Sequence, residues 1–251
     1  LIDITKDAQF EILKSFEYKK CKKIRSYSSV PTTDNKSLKN AADIINNAKK
    51  PFVVWGQGVI LGNAENEFRA FIEKSGIPAA WTILGLSALP TDHPLNVGMV
   101  GMHGNYGPNK LTNECDVLIA IGMRFDDRVT GSLNTYAKQA KIIHFEIDPA
   151  EVNKNVKVDV AVLGDVKETI KELLPLIKSK NHDKWIDEFH NYYKIEYDKV
   201  IDNEYNKKKG GLSMAEVIKS INNNTEGESI LVTDVGQHQM VACRYTRFKL
   251  S

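Results

Sequence analysis

One run of residues limits this chain more than any other feature. Asp116-Val117-Leu118-Ile119-Ala120-Ile121-Gly122 is apolar at every position between an aspartate and a glycine. A strand with one face in water alternates apolar and polar residues, so a strand that is apolar throughout must be covered on both faces. Pro51-Phe52-Val53-Val54-Trp55-Gly56, Ile77-Pro78-Ala79-Ala80-Trp81-Thr82, Lys141-Ile142-Ile143-His144-Phe145-Glu146-Ile147-Asp148 and Val160-Ala161-Val162-Leu163-Gly164-Asp165 repeat the theme. Pro78 falls near a strand start, where a missing N–H is tolerated. Helical stripes lie between the runs: Leu38, Ala41, Ala42, Ile44, Ile45 and Ala48 over 37–48, and Phe68, Phe71 and Ile72 over 64–74. Asp165, with Glu168 three residues on, reads as a capping box opening a helix through Leu173 and Leu174. The alternation predicts an α/β fold, an open doubly wound parallel sheet with helices on two sides.

The flanks read differently. Leu1-Ile2-Asp3-Ile4 is expected as a strand over 1–7, and 8–36, rich in Lys, Ser, Thr and Asn with Pro31, as a surface connection. The sheet domain is placed at 37–180 and a long connecting helix at 181–210, with Trp185, Phe189, Tyr192, Tyr193 and Tyr197 at helical spacing on a neighbouring domain. Ser213-Met214-Ala215-Glu216 is a second capping box, and Ser229-Ile230-Leu231-Val232-Thr233-Asp234 a further strand, so 211–251 is expected to open another α/β domain. The abrupt strand at Leu1 and the end soon after another strand suggest a piece of a longer polypeptide.

Composition removes several function classes. With 42% hydrophobic and 26% charged residues, the chain is neither disordered nor membrane-like. A net charge of +2 gives no electrostatic case for nucleic-acid binding. Cys21, Cys115 and Cys243 form no C-x-x-C pair, which argues against a disulfide framework and a zinc ribbon. No apolar stretch reaches the length of a membrane span. A soluble cytoplasmic protein is expected.

Ligands of open parallel sheets bind beyond the carboxyl ends of the strands, and five such ends here are unusual. Gly56-Gln57-Gly58, with Gly62 beyond, either admits a diphosphate to a helix N-terminus or simply makes a tight turn. Gly122-Met123-Arg124-Phe125-Asp126-Asp127-Arg128-Val129 offers arginine forks for phosphate and carboxylates for ribose, or a self-neutralising ion-pair cluster; its position favours binding. Glu146-Ile147-Asp148 places acid where sugar hydroxyls are received. In Gly164-Asp165-Val166 the aspartate is free to cap a helix or to bind adenosine. Gly101-Met102-His103-Gly104, after Val100, holds one histidine without a nucleophile in register. An extended nucleotide with a diphosphate and at least one ribose fits this set. There is no nucleophile triad, metal cluster or Walker lysine, so the chain reads as a binder.

The strings Gly101-Met102-His103-Gly104, Arg124-Phe125-Asp126-Asp127-Arg128-Val129-Thr130-Gly131 and Thr233-Asp234-Val235-Gly236-Gln237-His238-Gln239-Met240 closely resemble the large, catalytic subunit of acetolactate synthase (acetohydroxyacid synthase), a thiamine-diphosphate enzyme family. Asp92-His93-Pro94-Leu95, Ile147-Asp148 and Gly164-Asp165-Val166 continue the match in order. The resemblance implies three domains: a pyrimidine-binding one whose last strand is 1–7, a central FAD-binding one, and a diphosphate-binding one beginning at 211. It implies FAD contacts at Gly56, Gly58, Thr82, Ile83, Val100, Met102, His103, Gly122, Arg124, Asp126, Arg128, Val129, Glu146, Ile147, Gly164, Asp165 and Val166. Val235, Gly236, Gln237 and His238 would begin the thiamine diphosphate pocket, and Asp127 and Arg128 would border the substrate channel.

The implied reaction condenses two pyruvates, or pyruvate with 2-oxobutyrate, with loss of CO2, in branched-chain amino-acid synthesis. A homodimer or homotetramer with a regulatory small subunit is implied, as is Mg2+. No metal ligand or catalytic residue is assigned within these residues. The glutamate that activates the thiazolium and the G-D-G…N motif for Mg2+ are both absent from them, so this piece alone is expected to be inactive. Three positions depart from the family pattern: Thr5 for a proline, Gln57 within a glycine cluster, and Trp81 for a smaller residue. Pyruvate oxidase, glyoxylate carboligase, or a non-catalytic flavin- or NAD-binding module are the competing readings.

Overall fold

A computed structural model describes residues 3–21, 28–207 and 210–249. Helices α1 (Lys6–Phe10) and α2 (Asn35–Asn47) precede the sheet. β1 (Pro51–Trp55) leads through α3 (Gln57–Leu61) and α4 (Glu65–Ser75) to β2 (Ala79–Trp81), and a loop then reaches β3 (Asn96–Met99). α5 (Tyr106–Leu111) crosses to β4 (Val117–Ile121), α6 (Asp127–Thr130) follows it, and β5 (Lys141–Glu146) and β6 (Val160–Leu163) complete the sheet. After α7 (Val166–Leu173), α8 (Asp183–Glu196) runs through a π-helical turn, Tyr197–Ile201, into α9 (Asp202–Tyr205). α10 (Met214–Thr225) and α11 (Gln237–Tyr245) come last.

All six strands are parallel, in the order β3-β2-β1-β4-β5-β6. The doubly wound expectation therefore holds. Strand alternation sorts the apolar residues onto two faces. Val53, Trp55, Ile119, Ile121, Ile143 and Phe145 meet Leu38, Ala41 and Ile45 of α2, Phe68, Phe71 and Ile72 of α4, and Ile170 and Leu173 of α7. Burying each of those phenylalanines and isoleucines completely is worth about 1.5–3 kcal/mol. Phe52, Val54, Leu118, Ala120 and Ile142 form the other face, under Leu111, Trp185 and Phe189.

That second face is where α8 lays its aromatic residues, on the sheet domain that precedes it. Its Trp185 indole N–H donates to the Pro51 carbonyl at 2.8 Å, and the Phe189 ring lies 5.1 Å from that of Phe52. Tyr193 and Tyr197 at its far end stay exposed.

Two expected strands do not form. Asp3–Thr5 make no strand and Lys6–Phe10 are helical, while Leu1 and Ile2 lie outside the described residues. Residues 229–234 make none either, and Ile230 and Val232 are 92% and 86% exposed. A strand needs a ladder partner, and among the described residues none lies beside either segment. β3 was not expected. The capping box at Ser213 is complete, with Glu216 answering the Ser213 backbone N–H at 2.7 Å. The one at Asp165 is half-made: Asp165 accepts from Lys167 and Glu168 N–H groups, but Glu168 turns outward to Lys171 Nζ at 2.8 Å. No described helix is long and apolar enough to cross a membrane.

Candidate functional site

Parallel strands put all their carboxyl ends on one edge, and here backbone hydrogen bonds stitch those ends into a row. Val100 N–H donates to Trp81 O at 2.9 Å, Thr82 to Trp55 at 2.8 Å, Gly56 to Ile121 at 3.0 Å, Gly122 to Phe145 at 3.0 Å and Gly164 to Glu146 at 3.1 Å. Gly56, Thr82, Val100, Gly122, Glu146 and Gly164 are thus ordered side by side across the sheet. Strand order reverses between β1 and β4, the topological switch point where such sheets open a crevice.

At that point the glycines serve the protein's own backbone. Gly58 N–H donates to Gly122 O at 2.9 Å, and a Cβ on Gly58 would lie 2.6 Å from Gly122 Cα. A Cβ on Gly56 would meet Gly122 O at 2.5 Å. So the tight-turn reading describes Gly56-Gln57-Gly58, and the Gly58 N–H is not free for a diphosphate. Gly164 behaves alike: its φ is +146° and a Cβ would strike Thr33 Oγ1 at 2.4 Å.

The loop after β4 shows the ion-pair arrangement. Arg124 Nη2 lies 3.6 Å from Asp126 Oδ2, and Arg128 Nη1 lies 3.3 Å from Asp127 Oδ2. Asp126 also caps α6, accepting from Arg128 N–H at 3.1 Å. Both pairs are exposed, and exposed pairs contribute about 0–1 kcal/mol. Rearranging them onto a phosphate therefore costs little. The Arg128 carbonyl accepts from Met102 N–H at 2.8 Å, joining this loop to the one after β3 although β1 and β2 lie between their strands. A Cβ on Gly101, whose φ is +104°, would meet that carbonyl at 2.6 Å. Val129 is half-buried beside this junction, and His103 is exposed.

Glu146 is buried, and its Oε1 accepts from the N–H groups of Ile147 at 2.9 Å and Asp148 at 3.1 Å. Its Oε2 faces His144 Nε2 at 3.5 Å. Burial by itself would raise the Glu146 carboxyl, but the hydrogen bonds from His144, Asp148 and Ile147 outweigh it and hold the group below the ordinary glutamate range. His144 Nε2 also lies 2.8 Å from the Met123 carbonyl, which requires the proton on Nε2. Nothing in the sequence marked this histidine except its place in a strand. Asp165 Oδ1 is committed to capping α7, at 2.9 Å and 3.3 Å, ahead of the buried Val166.

Large apolar side chains are exposed along the same edge: Met102 61%, Leu84 57% and Ile147 41%, with Ile83 half-buried beside Leu84. An apolar fringe around charged loops suits a planar ring. Val235, Gly236, Gln237 and His238 sit elsewhere, at the start of α11 on the C-terminal helical module, where Gly236 has φ +154° and Val235 is 81% exposed. Among the described residues no hydrogen bond joins them to the row. A cavity of about 850 Å³ lies off the row, its walls including Asn96, Asn105, Tyr193, Tyr197, Arg244 and Arg247. Its walls come from distant segments, and the sequence reading did not anticipate it.

The family described as thiamine pyrophosphate enzyme, central domain, matches residues 38–173. The acetolactate synthase large subunit of Corynebacterium glutamicum is 38% identical over 251 residues, which covers 99% of this chain and 40% of that protein. The acetolactate synthase large subunit of Buchnera aphidicola subsp. Schizaphis graminum is 36% identical over 249 residues, 99% of this chain and 43% of that protein. The probable acetolactate synthase large subunit of Methanocaldococcus jannaschii is 36% identical over 256 residues, with the same two shares, 99% and 43%. The chain therefore spans less than half the length of these relatives.

Proposed function

The chain belongs to the thiamine pyrophosphate enzyme central-domain family, and from that premise we propose that it holds FAD across its row of strand ends. The observation that carries the reading is the row itself, at the switch point of a β3-β2-β1-β4-β5-β6 sheet, the strand order of dinucleotide-binding folds. The donor set fits the ligand. Arg124 and Arg128 have exposed guanidinium groups to offer the diphosphate, with Asp126 and Val129 beside them. Glu146, kept ionised, and Asp165 with Gly164 and Val166 stand where ribose hydroxyls would lie. Met102, His103 and Ile147 with Thr82, Ile83 and Val100 would flank the rings, over the backbone floor of Gly56, Gly58 and Gly122.

At the length of the matched relatives, the protein is proposed to be an acetolactate synthase large subunit. It would join two pyruvates, or pyruvate and 2-oxobutyrate, with release of CO2. Thiamine diphosphate with Mg2+, when bound, would supply the electron sink for decarboxylating the 2-oxo acid, and the FAD held on the row would have no net redox role. Val235, Gly236, Gln237 and His238 are assigned to the diphosphate end of that cofactor, and Asp127 with Arg128 to the substrate channel. We assign the reaction to the protein at that length, not to these residues alone, and expect a cytoplasmic homodimer or homotetramer with a regulatory small subunit.

A titration of the purified chain with FAD and, separately, with NAD tests the binding reading. Saturable quenching of flavin fluorescence that weakens at least tenfold in Arg124→Ala or Arg128→Ala supports it, since a charge-assisted hydrogen bond is worth about 1.5–3 kcal/mol. Binding of NAD with no response to FAD would replace it with the NAD-module reading.

A further inference from the structure

Glu196 is an acid that the site described above does not use. It ends α8 just before the π-helical turn, a kind of helix irregularity often found at functional positions. It is only 5% exposed. Three groups from two directions surround its carboxylate. Oε2 accepts from the Tyr106 backbone N–H at 3.0 Å, the first N–H of α5. Asn105 Nδ2 lies 3.4 Å from both oxygens, and Arg244 Nη2 of α11 donates to Oε1. Leaving a buried carboxylate without such partners is strongly unfavourable, so the three groups are held where Glu196 is.

Asn105 passes that constraint onward. Its Oδ1 accepts from Met99 N–H at 2.9 Å, and its own N–H returns to Met99 O at 2.7 Å, closing the loop that leaves β3. One turn on, the Asn109 side-chain amide clamps Gly101, Oδ1 accepting from its N–H and Nδ2 donating to its carbonyl, both at 2.8 Å. The tip between these clamps carries Val100, Met102 and His103. Among the described residues no hydrogen bond joins Glu196 to any of the three.

We propose that Glu196 is a positioning residue: its buried carboxylate fixes the loop 98–106 through Asn105 and Tyr106, and through Arg244 it ties that loop to the C-terminal helical module. The consequence for flavin rests on the reading given under Proposed function; the anchoring does not. Thr91 and Phe248 also join the two modules by hydrogen bonds, but Glu196 is the link that reaches the loop carrying Val100, Met102 and His103, so binding at its tip then responds to the docking of α11.

Site-resolved amide hydrogen exchange on the intact chain tests the anchoring. In Glu196→Gln, which keeps the shape but turns one acceptor oxygen into a donor, the Met99 and Tyr106 amides exchange at least tenfold faster while those of β4 and β5 stay within twofold. Arg244→Met, which removes a partner of Glu196 and no hydrogen bond to the loop, speeds Tyr106 at least threefold, and Arg244→Lys recovers most of the protection. Unchanged loop exchange in both variants, or equal acceleration throughout the sheet, overturns the proposal. Should Glu196→Gln not fold, Arg244→Met with its Lys rescue decides. The flavin consequence is read separately, as a fall of at least fivefold in FAD affinity in Glu196→Gln. Wild-type binding that is unaltered in the variant refutes this coupling, whereas a wild-type chain that takes no FAD refutes the flavin reading and leaves exchange to decide the anchor.

Discussion

Gly58 and Gly122 meet backbone to backbone: the N–H of the first donates to the carbonyl of the second at 2.9 Å, and a Cβ on Gly122 would lie 2.8 Å from Gly58 Cα. Gly122 also has φ +58°, a conformation that L side chains adopt at a cost. The two strand-end turns that frame the switch point can close only because neither residue has a side chain. Replacing Gly122 with alanine combines backbone strain with overpacking, each about 1–3 kcal/mol. Urea denaturation of Gly122→Ala is expected to show a loss of at least about 2 kcal/mol. A loss below about 0.5 kcal/mol, the range of ordinary surface substitutions, would contradict this packing.

The half-made capping box separates two acids of one motif. Asp165 accepts from two N–H groups at the start of α7, whereas Glu168 only pairs with exposed Lys171. Asp165→Ala should cost about 1 kcal/mol, the usual value of an N-cap, and Glu168→Ala less than about 0.5 kcal/mol. Chemical denaturation of the two variants checks the order; a larger loss for Glu168→Ala would show that the full box forms in solution.

Glu146 gives a pH dependence with a definite sign. Its folded-state carboxyl is held below the ordinary glutamate range by hydrogen bonds that outweigh burial. A depressed pKa stabilises the fold above the unfolded-state value, and that contribution disappears as pH falls through the folded-state value. Glu146→Gln should therefore be less stable than wild type at neutral pH, by about 1–3 kcal/mol for loss of charged hydrogen bonding. The difference should shrink on acidification below the ordinary carboxylate range. Paired denaturation curves at neutral and acid pH measure it, and a gap that widens toward acid would have the wrong sign.

The parts of the fold legible in the sequence were those whose physics is local. β1 and β4 are apolar on both faces, and Phe68, Phe71 and Ile72 repeat at helical spacing. β3 was not legible: Asn96-Val97-Gly98-Met99 is a short edge strand, half-buried over its first three residues, with Gly98 at φ +112° instead of a strand conformation. Residues 229–234 failed the other way, with strand composition but no neighbour to pair with among the described residues. The candidate site shows the same division. Its positions follow from strand ends, so Gly56, Gly122, Glu146 and Gly164 could be read in order. The tasks of their atoms could not, because the Gly58 N–H and the Asp165 carboxylate are taken by the protein itself. His144 and Glu196 look in sequence like a strand residue and a surface acid; only the folded chain brings Met123 and Glu146 to one and Asn105, Tyr106 and Arg244 to the other.

Backbone amide chemical shifts recorded with and without FAD locate the ligand proposed to lie along one edge of the sheet. Binding along the row shifts the amides of Gly56, Val100, Met102, Gly122, Arg124, Ile147 and Gly164. Those at the opposite edge, where the strands begin (Phe52, Val117, Ile142 and Ala161), stay in place. Shifts concentrated at the strand starts or on α10 and α11, with the row unmoved, would place FAD elsewhere and overturn the proposal.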